Sequence, residues 1–276
     1  MKILITGANG MLGQDLCPLL EQHNFEVIKT DIDNLDITNF NQVEYVIKFY
    51  KPEFIIHCAA YTNVDKAEED PKTAFKINQT GTENLAKTCA EFSIPILYIS
   101  TDYVFDGEGS TPYKPTDTRN PIGVYGQSKA KGEEAIENYC KKYYIVRTSW
   151  LYGHKGKNFI ETIISLAKKM PEIKVVDDQI GCPTWTMDLA NGILDLIENK
   201  KPYGIYHICG GRQTSWYGLA KEALNLCKIK TPIKPCSTEE FPRPAKRPKY
   251  SVLDNANTCR DWHEALKNYI ELRGVK

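Results

Sequence analysis

The sequence predicts an α/β protein built on a Rossmann-type parallel sheet with helices on both faces, followed by a smaller C-terminal α/β domain. Three observations predict this fold. Short apolar runs alternate with longer amphipathic stretches through the first half of the 276 residues, as strands and helices do in parallel sheets covered by helices. The strand candidates are continuously apolar, which is typical of strands buried on both faces. A glycine-rich segment follows the first of them.

The predicted elements of the first half follow from these runs. Strands are expected at residues 2–6, 26–30, 54–57, 96–100 and 144–147. Between them, apolar residues recur at helical spacing at residues 11–23, 41–50, 72–91 and 124–141. The order strand, helix, strand requires crossover connections, so the strands should lie parallel in one sheet.

Beyond residue 150 the pattern loosens. Helical stretches are expected at residues 158–169, 187–199 and 215–227. Residues 231–249 are rich in proline, which predicts an irregular loop there. We therefore expect a boundary near residue 150, with residues 1–150 forming the first domain, residues 151–276 mainly the second, and some later segments returning to the first.

Composition excludes several classes of partner and site. Lys plus Arg and Asp plus Glu both number 35, which gives no reason to expect nucleic acid or an anionic membrane as a partner. The opening apolar run is too short for a signal peptide, and no stretch approaches the ~18 apolar residues of a membrane span. The nine cysteines are scattered singly without a C-x-x-C pair, so we expect core thiols rather than disulfides or metal ligands, and a cytoplasmic protein.

The first motif with chemical meaning is the glycine loop that leads from the first strand into a helix. Gly7, Gly10 and Gly13 have the spacing G-x-x-G-x-x-G. Glycine lets the chain turn tightly and approach a ligand closely. A helix N-terminus then offers unpaired N–H groups to a pyrophosphate. This position in the chain favours a dinucleotide site over a tight turn without a ligand.

Asp31, at the end of the second predicted strand, bears on the choice of dinucleotide. A carboxylate there can accept hydrogen bonds from an adenosine ribose and would repel a 2′-phosphate. It therefore favours NADH, or relaxed use of NADH and NADPH. An ordinary solvated aspartate is the alternative.

The most informative set joins Thr101, at the end of the fourth strand, to Tyr125 and Lys129, which we call the Tyr–Lys pair. Tyr125 and Lys129 stand four residues apart, so they share one helix face. A tyrosine normally ionises near pH ~10, and a nearby ammonium is expected to lower that pKa. Thr101 can donate a hydrogen bond to the same substrate oxygen. The set predicts an oxidoreductase in which Tyr125 is the proton donor.

These motifs resemble the extended short-chain dehydrogenases/reductases, and within them the dTDP-4-dehydrorhamnose reductase family. The resemblance covers almost the whole chain. Beyond the glycine loop and the Tyr–Lys pair, it is carried by residues 57–68 (HCAAYTNVDKAE), 100–107 (STDYVFDG), 147–153 (RTSWLYG), 178–184 (DQIGCPT) and 247–254 (RPKYSVLD).

The resemblance implies reduction of the 4-keto group of a dTDP-linked 6-deoxyhexose with NADPH or NADH, giving dTDP-L-rhamnose. Thr101, Tyr125 and Lys129 fall on its catalytic positions, and Asp102 and Trp150, with Thr101 and Tyr125, on its substrate-binding positions. Together with the glycine loop and the Tyr–Lys pair, its cofactor-binding positions are Asn9, Met11, Leu12, Asp31, Asp36, Ile37, Ala59, Ala60, Tyr61 and Thr62.

Trp150 can offer a flat apolar face to a sugar ring, although a core aromatic is the simpler interpretation. Residues 243–249 can hold a diphosphate, or form a solvated basic loop. Some family members bind Mg²⁺ through carboxylates at a dimer interface. Asp15 and Asp188 match two such positions without a third, so we assign no metal ligand, and leave both Mg²⁺ and the choice between monomer and homodimer open.

Two other functions remain possible at this point. A nucleotide-sugar epimerase or 4,6-dehydratase uses the same scaffold, but dehydratases typically carry Glu after the Asp that follows the catalytic Thr, and here Tyr103 follows Asp102. An epimerase is excluded less firmly. A non-catalytic NAD(P)-binding subunit, resembling the regulatory subunit of methionine adenosyltransferase, is the third hypothesis.

Overall fold

The computed structural model describes residues 1–273. Within that range the strands, in chain order, are β1 (Lys2–Thr6), β2 (Glu26–Thr30), β3 (Phe54–His57), β4 (Ile96–Thr101), β5 (Tyr143–Thr148), β6 (Leu151–Tyr152), β7 (Ile173–Val176), β8 (Ile180–Gly181), β9 (Thr184–Trp185), β10 (Gly204–His207), β11 (Thr214–Ser215) and β12 (Ile233–Cys236).

The α-helices of the described residues are α1 (Gly13–Gln22), α2 (Phe40–Tyr50), α3 (Val64–Glu69), α4 (Pro71–Phe75), α5 (Thr82–Phe92), α6 (Val124–Tyr139), α7 (Phe159–Ala167), α8 (Thr186–Glu198), α9 (Trp216–Leu226) and α10 (Trp262–Arg273). A π-helical segment, Lys76–Gly81, joins α4 to α5, and one 3₁₀ turn, Asp102–Val104, follows β4.

The main sheet has six parallel strands in the order β10-β5-β4-β3-β1-β2. One face packs on α1 and α8, and the other packs on α2, α5 and α6. The predicted α/β fold, with a parallel sheet between helices, is confirmed. The chain order reverses at β1, which lies between β2 and β3, and ligands bind at the carboxyl ends of strands at such a switch point.

The predicted helix over residues 72–91 is wrong as one continuous element. The chain instead runs through α4, the π-helical segment and α5. The wider turn carries Asn78, which is 1% exposed and bonds outside the helix to the loop after β3 and to α6. Such single π turns occur most often at functional sites.

The second half contains strands that the loose pattern did not predict. The expectation of an irregular loop over residues 231–249 is wrong at β12, which pairs in parallel with β7. Pro235 is tolerated because β12 has one neighbour, and a proline fits an edge strand whose outer side needs no donor. From the same half, β10 joins the main sheet beside β5, and α8 packs against α1.

A separate hydrophobic cluster organises the rest of the second half. It joins side chains of α7, α9 and α10 with β7 and with Trp185 of β9. All nine cysteines are free thiols, and six of them are buried, as expected for core residues. Among the helices of residues 1–273, none combines the length and apolar character needed to cross a bilayer.

Candidate active site

A cleft of about 730 Å³ lies at the carboxyl ends of the central strands. It runs from Asp31 past the glycine loop to Trp150. Of the residues predicted from the sequence, it brings together Gly7, Asn9, Gly10, Met11, Leu12, Gly13, Asp31, Asp36, Ile37, Ala59, Ala60, Thr62, Thr101, Asp102, Tyr125, Lys129 and Trp150. Tyr61 does not line the cleft; its main chain is instead held by the Asn78 side chain.

The glycine loop has the shape that a close ligand requires. Gly7 adopts φ +68°, and a Cβ there would lie 2.7 Å from the backbone nitrogen of Ala59. A Cβ at Gly13 would lie 2.5 Å from the carbonyl oxygen of Ala8. Side chains are therefore excluded at both positions, and α1 begins directly behind the loop without a side-chain cap on its N-terminus. The free N–H groups there suit a phosphate.

Asp31 lines the cleft and also ties the loop to β2. Its Oδ2 accepts from the backbone N–H of Asn9 at 2.9 Å, and its Oδ1 accepts from the N–H of Ile32 at 2.8 Å. The carboxylate is thus oriented by main-chain donors at the wall of the cleft. A 2′-phosphate beside it would meet a fixed negative charge.

Thr101 and Asp102 form a bonded unit at the end of β4. The Thr101 hydroxyl donates to Oδ1 of Asp102 at 2.9 Å and accepts from the N–H of Tyr103 at 3.2 Å. Asp102 is 1% exposed, and its Oδ2 has no hydrogen-bond partner among the described residues. Burial raises the pKa of Asp102 to about 6, and the hydrogen bond from Thr101 opposes this rise. A buried carboxylate oxygen without a partner is unusual and fits a site for a sugar hydroxyl.

Tyr125 stands in the first turn of α6, beside Thr101. Desolvation raises the pKa of the Tyr125 hydroxyl above its ordinary value, and the nearby Thr101 hydroxyl acts in the opposite direction. The expectation that Lys129 lowers this pKa is wrong in this structure, because burial dominates. The phenol therefore stays protonated at neutral pH, which is the state a proton donor needs.

The Lys129 ammonium contacts β4 and does not lower the pKa of the Tyr125 hydroxyl. Its Nζ donates to the carbonyl oxygen of Ile99 at 2.7 Å and lies 4.0 Å from the centre of the Tyr98 ring. The side chain is 3% exposed, and burial lowers the pKa of Lys129 to about 7. Lys129 is thus held at the floor of the cleft, charged below pH 7 and increasingly neutral above it.

Asn78 is a positioning residue that the sequence reasoning missed. Its Nδ2 donates to the Tyr61 carbonyl at 3.0 Å and to the Ser128 hydroxyl at 2.9 Å, while its Oδ1 accepts from the Tyr61 N–H at 2.8 Å. It therefore joins the cofactor-side loop to α6 one residue before Lys129. No local pattern marks it, although an asparagine inside a helical stretch is a weak signal of such a bond.

Trp150 lines the cleft with one ring face already covered. Its ring stacks on Trp216, with centroids 3.6 Å apart and planes 7° from parallel. Trp150 has φ +47°, an unusual backbone for a bulky residue and one found most often at functional sites. A Cβ at Gly181 would lie 2.5 Å from the Trp150 ring. The indole is thus rigidly placed at the far end of the cleft.

The basic segment at residues 243–249 is partly neutralised. Arg247 pairs with Asp65 at 2.8 Å, and Arg243 lies 4.7 Å from the centre of the Phe241 ring. Arg247 thus anchors the segment through Asp65. A diphosphate would therefore have to be held by the other cationic side chains of residues 243–249.

The two carboxylates considered for Mg²⁺ each have a protein partner. Asp15 bonds to the Thr186 hydroxyl, and Asp188 forms an ion pair with Arg260 at 3.1 Å. Within residues 1–273 no group of three or more His, Cys, Asp or Glu side chains is arranged to hold a metal ion. Because a guanidinium already neutralises Asp188, we derive no step through Mg²⁺.

The residues present fit a nicotinamide dinucleotide. The side-chain-free loop at Gly7 and Gly13 leaves room for a pyrophosphate, Asp31 stands where an adenosine ribose would lie, and the Tyr–Lys pair lies further along the same cleft. This is the arrangement that the strand-end rule for open α/β sheets predicts.

Comparisons with known proteins agree with this geometry. A family model described as "RmlD substrate binding domain" matches residues 1–273. The spore coat polysaccharide biosynthesis protein SpsK of Bacillus subtilis is 39% identical over 278 residues, with 99% of this chain and 98% of that protein covered.

Solved structures give the same result. A dTDP-4-dehydrorhamnose reductase from Clostridium acetobutylicum superposes with a TM-score of 0.96 at 49% identity, covering 99% of both chains. One from Bacillus anthracis, in complex with NADP, gives 0.95 at 41% identity, covering 98% of this chain and 99% of that one. The chain belongs to the RmlD substrate-binding domain family.

Proposed function

We propose that this chain is an NAD(P)H-dependent oxidoreductase that reduces the 4-keto group of dTDP-4-dehydro-6-deoxy-L-mannose to give dTDP-L-rhamnose. The observation that carries the proposal is the convergence of Thr101, Asp102, Tyr125 and Lys129 in one cleft with the glycine loop. The names of the relatives support the choice of sugar, and that of SpsK supports a product used in cell-surface polysaccharide.

The side chains divide the chemistry among them. NAD(P)H, when bound, supplies the hydride. Tyr125, neutral at working pH, gives its proton to the C4 oxygen as negative charge develops there, and the phenolate is then reprotonated from solvent. Thr101, bonded to Asp102 and next to Tyr125, helps to hold that oxygen. Lys129, held at the floor of the cleft by the Ile99 carbonyl, is placed to bind the cofactor ribose.

Asp102 and Trp150 orient the sugar. The unpartnered Oδ2 of Asp102 accepts from a sugar hydroxyl, and the fixed Trp150 indole limits the positions open to the ring. Residues 151–276 mainly hold the nucleotide sugar. Holding the reacting groups in one geometry is itself a large part of the rate enhancement expected.

Asp31 leads us to propose NADH, or both NADH and NADPH, as the cofactor. Its carboxylate is fixed by two backbone N–H groups, which disfavours a 2′-phosphate without excluding it. The nine free thiols support a reducing cytoplasm, where the enzyme acts as a monomer or homodimer.

The test is oxidation of NADH and NADPH with a small panel of dTDP-, UDP- and GDP-linked 4-keto sugars. We expect stoichiometric oxidation with a dTDP-4-keto-6-deoxy sugar. Interconversion of sugars without net oxidation would support an epimerase instead. No turnover with any sugar, together with recovery of a stoichiometric partner enzyme, would support a regulatory subunit.

A further inference from the structure

The end of β4 is fastened to one face of α6 by successive residues. Tyr125, Lys129 and Glu133 are spaced four apart on α6 and so share that face. The carbonyl of Ile99 accepts from Lys129 at 2.7 Å, and the hydroxyl of the next residue, Ser100, donates to Oε1 of Glu133 at 2.5 Å. The residue after that is Thr101, which lines the same cleft as Tyr125.

Glu133 is the fully buried end of this series. Its carboxylate is 0% exposed and receives a two-point contact from Arg147, at 2.9 and 2.7 Å, and one from Arg119 at 3.0 Å. With Ser100 it therefore has four donors. A buried ion pair is weak evidence for stability, because apolar residues of similar volume often stabilise a core equally well. The ion pair between Glu133 and Arg147, however, lies one helical turn from Lys129, which suggests a role in the active site.

A second role for Glu133 concerns the protonation of Lys129. Cys58, after β3, stays neutral because burial raises the pKa of its thiol. His57 of β3 stays neutral because burial lowers the pKa of its imidazole to about 3. From β4, the Tyr98 ring lies against the Lys129 ammonium. Burial lowers the pKa of Lys129, and the Glu133 carboxylate acts in the opposite direction.

We propose that Glu133 is a positioning residue of the active site. Through Ser100 it fixes the end of β4 in register with α6, which sets Thr101 against Tyr125. Its negative charge, one turn along α6 from Lys129, favours the charged form of that lysine. The kinetic consequence rests on the proposed reductase activity, whereas the titration of Lys129 can be measured without any substrate.

The first test is an NMR titration of the full chain labelled with ¹³C at the lysine ε-carbons, with Lys129→Met to assign the signal. In Glu133→Gln, we expect the Lys129 midpoint to fall by about one pH unit, as loss of a close opposite charge predicts. The matched control is Glu134→Gln. It removes the neighbouring carboxylate, which is 41% exposed and paired with Lys131, and should leave the midpoint unchanged. An unchanged midpoint in a folded Glu133→Gln protein would overturn the charge role.

The second test uses Ser100→Ala, which removes the contact to Glu133 and keeps every charge. We expect kcat to fall about tenfold, the effect of one lost hydrogen bond in positioning, with cofactor affinity and the Lys129 midpoint unchanged. Wild-type kcat in this variant would overturn the positioning role. If Glu133→Gln does not melt cooperatively, that variant is not folded, and the kcat of Ser100→Ala then decides the positioning role. A wild-type protein without turnover would count against the proposed function, while the titration would still decide the role of Glu133.

Discussion

The two ends of the cleft are built in different ways. At the cofactor end, the binding surface is mostly main chain, and Gly7 and Gly13 provide it by lacking side chains. At the catalytic end, the surface is made of buried polar side chains; Thr101, Asp102 and Lys129 are 5, 1 and 3% exposed. The first end is defined by shape and the second by electrostatics. Substitutions at the first should therefore change binding, and those at the second should change turnover and its pH dependence.

The largest effect is expected at the catalytic end. Tyr125→Phe removes the proton donor and keeps the ring, which packs edge-on against Tyr103. Loss of a positioned general acid should lower kcat by about 10²- to 10⁴-fold, measured by NAD(P)H oxidation with the keto-sugar. The cofactor dissociation constant should change little, and near-normal turnover would remove Tyr125 from its role.

At the cofactor end, Gly7→Ala should act on binding. A Cβ there meets the Ala59 backbone at φ +68°, and the left-handed backbone alone costs an alanine roughly 1–2 kcal/mol. We expect a lower melting temperature and a cofactor Kd raised by about 100-fold, measured by fluorescence titration. Gly156→Ala, also at positive φ but with only a Met11 side-chain atom within 4 Å, is the control for backbone strain. Equal cofactor affinity in the two variants would argue against the close approach at Gly7.

The buried charges at the catalytic end predict a narrow pH optimum. The pKa of Asp102 is raised to about 6, so its carboxylate is lost as pH falls through 6. The pKa of Lys129 is lowered to about 7, so its ammonium is lost as pH rises through 7. The pH dependence of kcat/KM reports the ionisation of groups in the free enzyme. We therefore expect kcat/KM to be highest between pH 6 and 7 and about 100-fold lower two pH units above the pKa of Lys129. In Asp102→Asn the fall in kcat/KM below pH 6 should disappear. If the fall persists, the ionisation of another group causes it.

A smaller change is expected for Asp31→Ala, which removes a carboxylate that is fixed at the cofactor end by the Asn9 N–H. NADH should bind about tenfold more weakly, since a charge-assisted hydrogen bond is lost, while NADPH is affected less. The ratio of the two Kd values is the measurement. A ratio equal to that of the wild type would show that Asp31 only ties the glycine loop to β2.

The sequence predicted the parallel sheet well, and it predicted that the glycine loop would line the cleft, because both features have local signals. The strands β1, β3 and β4 are nearly continuous apolar runs, and the glycines directly follow β1. The two-residue strands β6, β8, β9 and β11 are too short to show any periodicity. Their pairing depends on contacts between distant segments.

The sequence predicted that Thr101, Tyr125 and Lys129 would lie together, but it did not predict their electrostatics. The spacing of Tyr125 and Lys129 is local, but the direction of the Lys129 side chain depends on Ile99 and Tyr98, 30 and 31 residues away. Glu133 is an ordinary helix residue until Arg147 and Ser100 surround it. Burial and partners of this kind come from the tertiary structure, which a single sequence does not display.

The central claim is that this cleft transfers a hydride to C4 of a nucleotide-linked 4-keto sugar. Its most direct test is turnover with nicotinamide cofactor deuterated at C4 on the transferred face, followed by NMR of the product sugar. The account predicts one deuterium at C4 of dTDP-L-rhamnose for each cofactor oxidised. Product without deuterium at that carbon, or sugar interconversion without net oxidation, would contradict it.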